Sequence, residues 1–120
     1  SVIAEGLYVN GLREGLWKFN NGEYIAEGNY AEGNMDGKWK QRYPDGTLAF
    51  EGEYFEGNEN GEHVYYYDSG KVREERFYRL GLKEGNWKHY DIDGELILTT
   101  TYQNGIVKKY EGVKLEEQPK

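Results

Sequence analysis

Hydrophobic and polar positions alternate in short bursts along this chain. In TLAFEGEY, Leu48, Phe50, Gly52 and Tyr54 fall on one side while Ala49, Glu51 and Glu53 fall on the other. Tyr24, Ala26, Gly28 and Tyr30 keep the same phase, as do Leu96, Leu98, Thr100 and Tyr102. A period of two predicts half-buried antiparallel strands. Each such segment leads through a GxxxG stretch, read as a five-residue loop, into a second one, where Trp39, Gln41 and Tyr43 share a side. Pro44-Asp45-Gly46 then predicts a turn, because proline pre-sets φ at the first corner and glycine accepts a positive φ at the last. Asn21-Gly22, Ser69-Gly70 and Asp93-Gly94 read as the same hairpin device.

The pattern recurs in four interlocked phases. Tyr8, Tyr30, Tyr54, Tyr78 and Tyr102 hold one, and Gly11, Gly33, Gly57, Gly81 and Gly105 a second. Gly15, Gly37, Gly61 and Gly85 hold a third, each two residues before Trp17, Trp39, His63 and Trp87; Gly22, Gly46, Gly70 and Gly94 hold the fourth. Fixed self-similarity of this length is the mark of a repeat array. The units run over residues 5–26, 27–50, 51–74 and 75–98, with a partial unit at 99–110 and a tail at 111–120. The expected fold is all-β: an elongated single-layer antiparallel sheet of tandem hairpins. Helix is a poor alternative, since each glycine in a helix costs about 1 kcal/mol relative to alanine.

The first unit is two residues shorter than the next three. An even deletion leaves every side chain on its original face, so the sheet can continue through a tighter hairpin. Gly28 and Gly52 lie within strands, where glycine marks close approach of a neighbouring group. Each is expected to leave a slot for a Trp or Tyr of an adjacent hairpin, with Arg76 and Thr100 at the equivalent places later. Lys109 stands where the last unit would need its second loop glycine, so the array reads as degenerate there, and the tail as a final strand, a short cap or a frayed end.

Composition sharpens this picture. A mean hydropathy of -0.98 would suit a disordered chain. The twelve Tyr, three Trp and four Phe do not, and neither is there the Gly-every-third spacing of collagen. The net charge of -7 opposes nucleic acid and anionic membranes, and Lys108-Lys109 is the longest basic run. No stretch has the roughly 20 apolar residues that cross a bilayer. Cysteine is absent, which removes disulfides and thiolate chemistry without naming a compartment; the first residue, Ser1, leaves a trimmed leader open, so localisation stays undetermined.

Catalytic material is scarce. Ser1 and Ser69 are the only serines and His63 and His89 the only histidines, which leaves no Ser or Cys triad. The repeated carboxylates Glu27 and Glu51 read as a solvated face, whereas a catalytic pair is normally singular. GLREG, GNMDG, GNENG and GLKEG lack the trailing GK[ST] of a phosphate loop, and NMDG, NENG, YPDG and DIDG lack EF-hand spacing. The reading is a non-enzyme without cofactor or metal. Its aromatics are the remaining candidates: Trp17, Trp39, His63, Tyr65, Tyr66, Tyr67, Trp87 and Tyr90 form the candidate interaction surface, chiefly as a strip along a concave face. The bland reading is that the Trp set is the core, because a single layer must cover its own rings. Alternation points Tyr66 away from Tyr65 and Tyr67, and Tyr90 away as well.

YVNGLREGLWKF, YAEGNMDGKWKQRY, YFEGNENGEHVYYY and YRLGLKEGNWKHY resemble the MORN repeat, and more closely its bacterial variant form, YxNGxxxGxWxxY followed by a D/N-G turn. The resemblance covers nearly all of residues 5–105. His63 departs from the Trp position, Arg79-Leu80 from the Asn/Glu before glycine, and Tyr90 from the spacing after Trp. The resemblance implies an elongated twisted sheet serving as a scaffold or protein-binding module. Some eukaryotic members are tied to phospholipids, which the acidic charge here disfavours, and some bacterial variants are labelled antitoxins. The expected partner is another protein, one with a basic surface on charge grounds; a glycan on the aromatic strip is the alternative, and open terminal strands invite self-association.

Overall fold

The computed structural model describes residues 3–112. The strands are β1 (Ile3–Val9), β2 (Leu12–Asn20), β3 (Ile25–Ala31), β4 (Asn34–Arg42), β5 (Leu48–Phe55), β6 (Asn58–Tyr66), β7 (Val72–Arg79), β8 (Leu82–Lys83), β9 (Gly85–Tyr90), β10 (Leu96–Gln103) and β11 (Ile106–Gly112). They form one antiparallel sheet in chain order, β8 and β9 both following β7. The sheet measures 63 × 35 × 18 Å, so it is a plate one layer thick. Residues 113–120, most of the tail discussed above, lie outside the described residues.

The two glycines of GxxxG do different work, which corrects the expectation of a five-residue loop. The first closes a two-residue turn with both residues at positive φ: Asn10 at 52° with Gly11 at 79°, Glu32 at 51° with Gly33 at 85°, and likewise Glu56-Gly57, Leu80-Gly81 and Asn104-Gly105. Positive φ at both corners matches the turn to the right-handed twist of the strands it joins. The second glycine lies back in the sheet, Gly15 at φ 73° and Gly37 at 74°. There β2 and β4 each carry two more residues than the strand they pair with: Glu5 faces Lys18 while Leu7 faces Glu14, and Gly28 faces Trp39 while Asn29 faces Asp36. This bulge bends the strand and leaves the alternation intact, because the insertion is even.

At the opposite ends of the strands the turns follow the sequence reading. Tyr43 to Thr47 close a five-residue connection in which Gly46 N–H donates to the Tyr43 carbonyl at 2.8 Å and Tyr43 N–H to Thr47 at 2.8 Å. Tyr67–Lys71 and Asp91–Glu95 repeat it. The first unit uses a shorter one, Asn21 N–H reaching Tyr24 at 3.3 Å.

Consecutive hairpins are joined by more than the strand ladder. The turn glycines donate to the preceding hairpin: Gly33 to Arg13, Gly57 to Met35, Gly81 to Glu59 and Gly105 to Lys83, at 2.8–3.0 Å. On the far side Tyr43 and Tyr67 hydroxyls donate to the Tyr66 and Tyr90 carbonyls at 2.7 Å. The second, third and fourth hairpins are thus tied to one another at both ends.

Two faces of the array as the candidate interaction site

The core centres on a row of paired residues crossing the sheet, with Ala49, Phe50 and Tyr78 buried beside it. Trp17 pairs with Gly28, Gly28 with Trp39, Trp39 with Gly52, Gly52 with His63 and His63 with Arg76; Trp87 pairs with Thr100 and Thr100 with Tyr110. A Cβ placed on Gly6 would overlap the Trp17 indole, and one on Gly28 the Trp39 indole. The glycine slot is therefore real, but the ring filling it comes from the same hairpin and not from an adjacent one. The tight turn brings the glycine and the indole face to face. Each indole lies flat, and its Nε1–H donates at 3.0 Å to a carbonyl ten residues back: Trp17 to Leu7, Trp39 to Asn29 and Trp87 to Phe77.

Tyrosines of the first phase interleave with this row edge-on. Tyr8 meets Trp17 at 5.1 Å, Tyr30 meets Trp39 at 5.1 Å, Tyr54 and Tyr78 flank His63 at 5.1 and 5.0 Å, and Tyr102 meets Trp87 at 4.8 Å. These offset and perpendicular contacts suit the ring quadrupoles, each adding about 0.5–1.5 kcal/mol beyond area burial. The zipper is the hydrophobic core of a plate that has no second layer.

The eight candidate residues divide accordingly. Trp17, Trp39, His63 and Trp87 are buried, 3, 5, 1 and 8 % exposed, so their flat faces are not open to a partner. Tyr65 and Tyr67 are partly exposed on the aromatic face. Tyr66 and Tyr90 lie on the other face, as alternation required, and are not free anchors: their hydroxyls donate at 2.7 Å to Glu51 and Glu75. Burial first, then the Glu51 carboxylate, pushes the Tyr66 pKa up to about 12. For Tyr90 the bond to Glu75 comes first and burial second, with the same result of about 12.

His63 stands in for tryptophan atom for atom where it matters. Its Nε2 lies 2.7 Å from the Glu53 carbonyl, which can only accept, so the ring carries its proton there as indole does. Burial lowers its pKa, opposed by the Glu53 carbonyl and by Glu59. The imidazole is neutral and structural.

Charge is sorted between the faces. The second face carries a ladder in which Glu5 pairs with Lys18, Lys18 with Glu27, Glu27 with Lys40 and Lys40 with Glu51; Val64 interrupts it before Glu75 and Lys88. Opposite charges directly across a strand pair are mildly stabilising. On the aromatic face the charges above the rings are cations: Arg13 lies 4.8 Å from Trp17, Arg76 4.3 Å from Tyr65, Arg73 5.5 Å from Tyr65 and Lys83 5.0 Å from Trp87. Arg76 occupies the glycine position of its repeat and is held by Glu74 at 3.1 and 3.2 Å and by the Tyr65 hydroxyl at 3.3 Å. Burial works against its charge, and the Glu74 carboxylate and the tyrosines more than restore it.

Sequence reasoning missed the task of the acid or amide before the second glycine. Glu14 accepts from Glu32 N–H at 2.9 Å, Asn60 from Leu80 N–H at 2.9 Å and Glu84 from Asn104 N–H at 3.0 Å. These side chains cap the positive-φ turn of the next hairpin. The signal was present in GLREG, GNENG and GLKEG, where an acceptor precedes every second glycine.

No three metal-ligating side chains cluster among the described residues, and none of them forms a helix long and apolar enough to cross a membrane. The depressions on both faces are shallow and open. A thin plate of stacked hairpins with extended open faces is a repeat-array module. The MORN repeat variant model matches residues 35–56, 59–79 and 83–104, more than half of the chain, and the chain belongs to that family. Repeats of this family are commonly protein- or membrane-binding modules and are generally non-enzymatic. No curated protein matches the chain.

Proposed function

We propose that this chain is a non-catalytic scaffold that binds another protein over one of its open faces. The observation that carries this reading is the burial of all three indoles and His63 in the one-layer zipper. What remains is an 18 Å thin plate with two long surfaces and, among the described residues, no convergent set of acid, base and nucleophile. The sharper form of the reading is antitoxin-like, in which the array sequesters a toxic partner; its support is the resemblance to bacterial variant repeats. A glycan-binding role is disfavoured because stacking on a sugar needs an exposed flat ring, and the indoles are covered.

Mild affinity purification from the native host, followed by hydrogen exchange of the recovered complex, tests the proposal. A stoichiometric protein that slows exchange across one face supports it. Recovery of the chain alone, together with binding on a glycan array, would replace it with the carbohydrate reading.

A further inference from the structure

The net charge points to basic partners, yet the aromatic face points the other way. Arg73, Arg76 and Lys83 gather over Tyr65, Trp87 and Tyr102 at the junction of the third, fourth and fifth hairpins. The carboxylates sharing that face by alternation are Glu59 and Glu74, and Glu74 is engaged by Arg76. Among the described residues neither Arg73 nor Lys83 has a carboxylate within ion-pair distance. The excess negative charge lies on the other face and in the turns. A shallow depression of about 390 Å³ opens here, where Arg76, held by Glu74, and Lys83 stand beside Trp87, Leu98 and Tyr102; Arg73 lies outside its lining, over Tyr65. This junction is also where the repeat is least regular: Arg76 and Thr100 replace the row glycines, and Leu98 is exposed.

We infer that this patch binds an extended acidic segment of a partner protein, whose carboxylates meet Arg73 and Lys83 and whose apolar side chains rest on Leu98 and Tyr102. The inference rests on the scaffold reading and names the chemistry of the partner. Charge complementarity selects the occupant. Arg73, Arg76 and Tyr78 follow one strand, and Lys83 pairs with Tyr78, so the backbone positions that carry the cations extend over about 17 Å at 3.3 Å per residue. That is the reach of about five extended residues, and alternation in such a segment offers acids to the cations on one side. Arg76 anchors the site and is itself held in place by Glu74, so Arg73 and Lys83 are the groups left to make new pairs. Cations already seated on rings are partly desolvated and oriented, which strengthens a carboxylate contact relative to a free surface lysine.

The test uses the whole chain, labelled with nitrogen-15, and a decapeptide of alternating glutamate and leucine, with its lysine counterpart as control. The expected result is movement of the Trp87 indole signal and the β7–β10 amides with the acidic peptide, while the Trp17 indole stays put. Binding should weaken as salt is raised. R73Q and K83Q, at positions outside the zipper, should each weaken it about tenfold, the worth of one good charge contact. Equal binding of the lysine peptide, no change at Trp87, or tighter binding of phosphatidylserine vesicles or an acidic polysaccharide at the same signals would overturn the inference. A native protein partner whose footprint falls on the charge-ladder face would also overturn it, while leaving the scaffold reading intact.

Discussion

At the residue scale the fold turns on a pairing of the smallest side chain with the largest. Gly28 is required because the Trp39 indole occupies the space of its Cβ. Gly28→Ala should therefore cost about 1–3 kcal/mol through overpacking. Denaturant melts would register that as a lower midpoint, and an unchanged midpoint would remove the slot argument. His63 makes the second residue-scale prediction. Its pKa is lowered in the folded state, so the unfolded chain binds the extra proton more readily. The stability it contributes is complete above about 6.5, the unfolded value, and is lost as pH falls from there toward the lower folded value. Stability measured across that window should decline with acid, and H63W, which restores the repeat's own residue, should flatten the decline. Tyr66 and Tyr90 work in the opposite sense. Their raised values mean stability is present below about 10 and lost as pH climbs toward about 12.

At the scale of elements, a hairpin is held to its neighbour by its ends as well as its edge. The Asn60 side chain caps the turn at Leu80, whose positive φ of 46° is costly for a leucine. Asn60→Ala should cost about 0.5–1.5 kcal/mol, the net worth of one hydrogen bond, and should speed amide exchange at Leu80 while β2 and β3 are unaffected. The terminal hairpin shows how strictly the row is kept. Only Lys108 is skipped in the pairing of β10 with β11, against two residues in earlier hairpins, and this one-residue shift sets Tyr110 opposite Thr100. The lost glycine is compensated by register: a tyrosine arrives in the tryptophan row one residue early. The row's register thus continues into the last unit, but its burial does not, since Tyr110 is exposed.

At the scale of the molecule, the main contacts among the described residues run between strands adjacent in the sheet, so stability should be close to a sum of unit and interface terms. The ends differ from the middle. β1 and β11 are exposed throughout, with Leu7 and Tyr110 both 71 % accessible. Paired edges are lower in free energy than open ones, so the chain should self-associate through these strands as concentration rises. Sedimentation velocity on a dilution series would follow it, and a constant monomer would exclude it. Charge segregation is also a whole-molecule property. The ladder face and the turns account for the acidity, while cations crown the aromatic face, so one net charge describes neither surface.

The hairpin phases, the all-β class and the antiparallel order were legible in the spacing of Tyr, Gly and Trp, because period-two alternation and turn chemistry are local. So was the split of Tyr65 from Tyr66, which needs nothing beyond the pleat. The chain alone could not tell a wide GxxxG loop from a tight turn plus bulge, since both place glycine at the same spacing and only pairing across strands separates them. It could not place Glu14, Asn60 and Glu84 on the next hairpin's turn, nor seat Arg73, Arg76 and Lys83 on one set of rings. Those relations join residues from different hairpins, and their distances are set by register and stacking. Local propensity determined what each unit is; contact between units decided which rings are core and where the charge collects.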